Sequence, residues 1–336
     1  MKNLVYVGNH LQNSQTNLSY SAVLGPLLEQ GGYEVRYTSN KTNKAFRLLD
    51  MLGTTLRFRK KTDLVLIDTY STQNFYYAVL VSQLCMILHL PYVPILHGGN
   101  LPNRLKSSPK LSRRLFMNAN VNVSPSLYLK ECFEKAGYQN VAYIPNTISI
   151  AHYPQHNKTF DKPRLLWVRS FSEIYNPALA VKVLHELRQR GYDASLCMVG
   201  PDTDGSLAEV KALAERLNLS VNFTGKLTKT EWIAFSRDYN VFINTTNFDN
   251  MPVSVIEAMA LGFPVVSTNV GGMPYLIDDG EDGLLVAPND KMAMTDAICL
   301  LFEDVVRTEA RVVRAREKVE GFDWKQIKSL WEEVLS

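Results

Sequence analysis

The stretch DNMPVSVIEAMALGFPVVST, Asp249 to Thr268, decides the fold. Asp249 and Asn250 are helix-capping residue types, and Pro252 suits a first turn, where its missing N–H costs nothing. Val255, Met259 and Ala260 recur at helical spacing as a buried stripe. Gly262 stops the helix, and the β-branched run after Pro264 reads as a strand. A helix leading straight into a short apolar strand is part of a βαβ unit, so the sheet it joins is parallel.

The same alternation continues on both sides. Leu165–Val168, Ala194–Val199, Val221–Thr224, Val241–Asn244, Val265–Ser267 and Leu284–Val286 form one strand series, and Leu4–Val7, Leu64–Ile67, Tyr92–Leu96 and Val121–Val123 an earlier one. Between them, Ile144–Ile148 and a polar stretch through Pro163 read as a linker. The 336 residues suit two domains. The expectation is an α/β chain of two Rossmann-like, doubly wound parallel sheets, residues 1–155 and 156–320. Residues 321–336 form a packing helix that can cross back to the first domain. Ligands of open parallel sheets bind beyond the carboxyl ends of the strands, so two such sheets predict a cleft between the domains.

Composition narrows the class. With 46% apolar and 21% charged residues the chain is neither disordered nor fibrous. The longest apolar run, Tyr76 to Pro94, is interrupted by Ser82, Gln83 and His89 and reads as a buried helix followed by a strand. The N-terminus reads as a strand and not as an export signal. Cys85, Cys132, Cys197 and Cys299 are scattered singly, as reduced core thiols are. These features predict a cytoplasmic protein, which can sit at the inner face of a membrane. Residues 1–150 carry 16 Lys and Arg against 7 Asp and Glu, and the remainder carries 20 against 26, so the net +3 divides into +9 and −6. Phe46, Leu48, Leu49, Met51, Leu52, Leu56 and Phe58 interleave with the basic residues of Lys41–Lys61, and Arg104–Arg114 is also basic. This surface suits an anionic membrane or an acidic acceptor, or is a solvated basic helix.

Candidate chemistry lies in the loops after the strands. The helix start at Pro252–Val255 offers unpaired N–H groups and a partial positive charge, a seat for a diphosphate. Glu257, further along, has two oxygens for the diol of a ribose. His97 follows the strand Tyr92–Leu96, and Gly98 and Gly99 let a ligand approach. The loop Gly8–Asn17 follows the first strand and borders the same region. It lacks Gly-x-Gly-x-x-Gly, which argues against a nicotinamide enzyme, and the chain has no Gly-x-x-x-x-Gly-Lys of a P-loop hydrolase. No acid-rich metal site is legible, and none is expected.

An acid, seven residues, a Glu, and then Ala-Met-Ala-x-Gly-x-Pro-Val-Val resembles the signature of glycosyltransferase family 4. The resemblance extends through Asn269–Pro274, Asp278–Val286, Val199–Pro201, Phe223–Gly225 and Phe322–Trp324, covering residues 163–336. It implies a GT-B fold and a retaining, metal-independent hexosyltransferase without a cofactor, whose donor substrate is a nucleotide-diphosphate sugar. A glycan or a lipid-linked molecule is the implied acceptor, and nucleic acid is not a partner. By resemblance Glu257 binds the ribose; Gly8, Asn250, Met251, Pro252 and Val253 border the donor; and His97, Arg169 and Asp249 are the catalytic set. Two departures are visible. The first acid is Asp249, where the family has Glu. After Leu165–Val168 the family has Gly-Arg and a Lys five residues on, whereas here Arg169 takes the Gly place, Ser170 the Arg place and Tyr175 the Lys place. Arg169 can offer its fork to a phosphate in their stead. The missing Lys keeps a catalytically weak sugar-nucleotide-binding subunit as an alternative, beside an epimerase or phosphorylase of the same fold.

Overall fold

A computed structural model describes residues 1–9 and 19–336; the expectation placed on His10–Asn17 falls outside them. The chain divides into two units, Met1–Thr147 with Trp324–Ser336, and Ile148–Asp323.

In the first unit six parallel strands, β1 (Asn3–Val7), β2 (Glu34–Thr38), β3 (Leu64–Thr69), β4 (Tyr92–Leu96), β5 (Asn122–Ser124) and β6 (Val141–Tyr143), lie in the order β2-β1-β3-β4-β5-β6. β3 is buried at every position because helices cover both faces of the sheet. One face packs Val5, Val65, Ile67 and Leu96 against helices that include Lys44–Phe58 and Asn74–Ile87. The other packs Leu4, Tyr6 and Leu66 against Leu24 and Leu28, and against Ile327, Trp331 and Leu335 of the final helix Trp324–Leu335. β2 and β6, edge strands with exposed or half-buried positions, have no counterpart among the strands read from the sequence.

In the second unit β7 (Arg164–Val168), β8 (Ser195–Val199), β9 (Asn222–Gly225), β10 (Val241–Asn244), β11 (Val265–Thr268) and β12 (Leu284–Val286) run parallel in the order β12-β11-β10-β7-β8-β9. All six coincide with runs read from the sequence. The unit begins at Ile148, ahead of the boundary read near residue 155, because Ile148 bridges Asp323 and Tyr153 packs in this unit's core. The helix Val253–Ala260 turns Val255, Ile256, Ala258 and Met259 into that core.

Each sheet has one place where the strand order reverses: between β1 and β3 in the first unit, and between β7 and β10 in the second. At such a point the flanking helices lie on opposite faces and leave a crevice beyond the strand ends. Among the described residues no helix is long and apolar enough to cross a membrane. The run Tyr76–Pro94 divides into most of the helix Asn74–Ile87 and the start of β4. All four cysteines are free.

Candidate active site

The crevice of the second unit gathers the residues singled out in its sequence. Arg169 leaves the end of β7, and the chain leaving β10 runs through Thr245 and Thr246 to Asp249. Arg169 and Asp249 form an ion pair in which both side chains are more than four-fifths buried. The Arg169 guanidinium also lies 4.3 Å above the ring of Tyr175, and burial lowers its pKa. Asp249 therefore does not cap the helix, as its position in the sequence suggested. Its Oδ1 accepts the neighbouring N–H of Asn250 at 2.8 Å while its carboxylate faces Arg169, and the helix starts after Pro252 without a side-chain cap. The seat at the helix end is consequently not filled by a capping side chain of its own.

Asn250 and Met251 are buried, and Val253 is exposed at the first helical turn. The loop after β11 closes over this segment. A Cβ at Gly272 would lie 1.7 Å from the carbonyl oxygen of Asn250, so any larger residue would push the two loops apart.

Glu257, read as the residue for the ribose diol, is 4% exposed. Its Oε1 accepts the hydroxyl of Tyr153 at 2.8 Å and pairs with the ammonium of Lys229, while Oε2 has no hydrogen-bond partner among the described residues. Burial pushes Lys229 down to about 8. Sequence reasoning missed both partners. A signal for Lys229 was present: Thr228 and Glu231 form a capping box that starts a helix directly after β9, which puts Lys229 at a strand end.

The crevice of the first unit holds Gly8 and His97, together with Asp68, which the sequence reading also missed. His97 Nε2 lies 2.7 Å from Asp68 Oδ1, and the Tyr6 hydroxyl donates to the same oxygen at 3.1 Å. The rings of Tyr20 and Tyr70 stand 4.8 and 5.2 Å from the imidazole. A Cβ at Gly8, just after β1, would fall 2.4 Å from Asp68 Oδ2, so a larger residue there would displace this carboxylate from its place beside His97. Asp68 ends an apolar strand run, the position at which an acid most merits notice. Among the described residues no group of three or more His, Cys, Asp or Glu could hold a metal ion.

Part of the basic excess of the first unit is structural. Arg47 is buried and donates to the carbonyls of Lys41 and Thr42, and Arg104 donates to Ser71 and lies 5.1 Å from the Phe75 ring centroid. Phe46, Leu49 and Leu56 are exposed on the helix Lys44–Phe58, and Tyr76, Leu80 and Ile87 on the helix packed beside it.

Two units with these strand orders make a GT-B protein, and solved structures agree over nearly the whole chain. Sucrose-phosphate synthase from Thermosynechococcus elongatus superposes with a TM-score of 0.84 at 17% identity, covering 99% of this chain and 98% of that one. Anabaena HepE in complex with UDP-glucose gives 0.79 at 18% identity, covering 100% and 99%. Residues 162–304 match the family model for glycosyl transferases group 1. Among relatives, a glycogen synthase of Mycobacterium tuberculosis is 24% identical over 57% of this chain and 47% of its own. The capsular polysaccharide biosynthesis glycosyltransferase CapM of Staphylococcus aureus is 32% identical over 46% and 42%. The chain thus spans about half the length of these relatives.

Proposed function

We propose that this protein is a glycosyltransferase that moves a hexosyl group from a nucleoside-diphosphate sugar to a glycan or lipid-linked acceptor with retention of anomeric configuration. The observation that carries the reading is the crevice between β7 and β10. There a helix start without a side-chain cap, the Arg169–Asp249 pair and a Glu257 Oε2 with no hydrogen-bond partner among the described residues gather in one unit, residues 162–304 of which match the family model for glycosyl transferases group 1. That HepE was crystallised with UDP-glucose supports a nucleotide sugar as the donor.

In this reading the diphosphate rests on the N–H groups of Val253 and Ser254, and Glu257 accepts from the ribose diol through Oε2. Asn250, Met251 and Pro252 border the donor. As the glycosidic bond breaks, negative charge grows on the departing diphosphate, and a preoriented guanidinium and helix end stabilise it in the transition state. Arg169 supplies the guanidinium, exchanging part of its contact with Asp249 for a phosphate oxygen. Asp249, so released, accepts from a sugar hydroxyl, and Gly8, with His97 held by Asp68, serves the sugar and acceptor side. No cofactor or metal is assigned a role. The exposed apolar residues of the helices Lys44–Phe58 and Asn74–Ile87, with the basic residues of the same unit, are assigned to peripheral contact with an anionic membrane.

The test is a titration of UDP, GDP and dTDP sugars into the protein, followed by transfer assays with and without EDTA and proton NMR of the anomeric centre. Binding without turnover on any acceptor class would leave only a sugar-nucleotide-binding subunit. Inverted product or loss of turnover in EDTA would remove those parts of the reading.

A further inference from the structure

We propose that Tyr175 is a positioning residue for Arg169: its ring takes the place of a second cation by holding the guanidinium in the orientation that meets the β-phosphate of a nucleoside diphosphate. The inference rests on the donor site proposed above and concerns how that site manages without the lysine expected at position 175.

The guanidinium has three distinct surroundings. Its flat face lies 4.3 Å from the Tyr175 ring centroid, Nη2 meets the Asp249 carboxylate, and the buried Nε has no hydrogen-bond partner among the described residues. An arginine stem carries considerable rotamer freedom, which a phosphate contact would otherwise have to freeze. A ring stacked on the guanidinium restricts that freedom before the ligand arrives and attracts the cation through its quadrupole. A lysine at the same place would put like charge beside Arg169, whereas a neutral ring does not repel it. The two departures from the family pattern therefore act together: the arginine stands one residue earlier, and the ring supports it there.

The platform itself is fixed. The carbonyl of Tyr175 accepts the Thr245 hydroxyl at 2.8 Å, and the carbonyl of Ile174 accepts the N–H of Asn247 at 2.8 Å. The carbonyl of Glu173 accepts the side-chain amide of Asn247 at 3.1 Å, and its N–H donates to Asp204 at 2.9 Å. The short turn Glu173–Tyr175 is thus tied to the end of β10 and to the chain beyond β8. The ring borrows its position from the sheet and not from a mobile loop.

The experiment compares binding of nucleoside mono- and diphosphates to the full chain by calorimetry. UDP, GDP and dTDP are titrated first, and the tightest binder is paired with its monophosphate. The variants are Tyr175→Phe, Tyr175→Leu and Tyr175→Ala, with thermal melts to establish folding; Leu keeps bulk without a π-face. The expected result is a preference for diphosphate that falls about tenfold in the Leu and Ala variants and changes by less than about twofold in Phe, with monophosphate affinity retained in all three. Retention of the full preference in folded Leu or Ala variants overturns the inference, as does an equal loss in Phe. A wild-type chain that binds none of the three nucleotides defeats the proposed function itself.

Discussion

Replacing Glu257 by Gln tests the nucleotide site most directly. The change keeps the size of the side chain and its capacity to accept from the Tyr153 hydroxyl, and removes the charge that Oε2 offers to a ligand. The pair with Lys229 is half-buried, its carboxylate 5% and its ammonium side chain 42% exposed, so in the variant the ammonium can turn to solvent, and a thermal melt checks that the fold is kept. The ribose contact is different. A hydrogen bond to a charged acceptor is worth about 1.5–3 kcal/mol against about 1 kcal/mol for a neutral one, so affinity for the nucleoside diphosphate should fall between about twofold and about thirtyfold. Calorimetry with the ribonucleotide and its 2′,3′-dideoxy analogue reads the effect, because the analogue lacks the diol and should lose little between wild type and variant. Unchanged affinity in a folded Glu257→Gln protein would refute the assignment. An equal loss for both nucleotides would place the carboxylate elsewhere than on the ribose.

Arg169→Ala should lower kcat on the order of a hundredfold and weaken binding of the free nucleoside diphosphate by about tenfold, while the intact sugar nucleotide, whose β-phosphate carries less charge, loses less; kcat, diphosphate Kd and donor Kd measured separately decide. Phe46, Leu49 and Leu56 changed together to Ser should abolish cosedimentation with phosphatidylglycerol vesicles at low salt, and neutral vesicles should bind neither protein. Equal failure of the wild-type chain on both vesicle types removes the membrane contact and leaves the transferase reading intact. Lys158 stacks 3.8 Å from the Phe263 ring centroid and is pushed down to about 8 by burial. An unfolded lysine titrates near about 10.4. Between these values the unfolded chain binds more protons, so this group makes stability rise with pH from about 8 toward about 10. Urea midpoints at pH 7.5 and 9.5 should show that rise in wild type and less of it in Lys158→Met, and an identical rise in both would contradict it.

The sequence by itself determined the strand series of the second unit, because a strand buried on both faces must be apolar throughout and is therefore legible as a short run. It also determined that a helix starts beside Pro252, since proline, glycine and the apolar stripe act within a few residues of one another. It marked Glu257 and Arg169 as chemically interesting but not what they touch. Only the tertiary structure decided that Asp249 faces Arg169 and does not cap the helix, that Tyr175 lies under the guanidinium, and that Lys229 and Tyr153 converge on Glu257 from distant parts of the chain. It likewise decided that Asp68 on β3 meets His97 beyond β4, beside a glycine that follows β1. The physical reason is the same in each case. Periodicity and turn chemistry are local, whereas a crevice is assembled from the ends of strands whose order in the sheet differs from their order in the sequence.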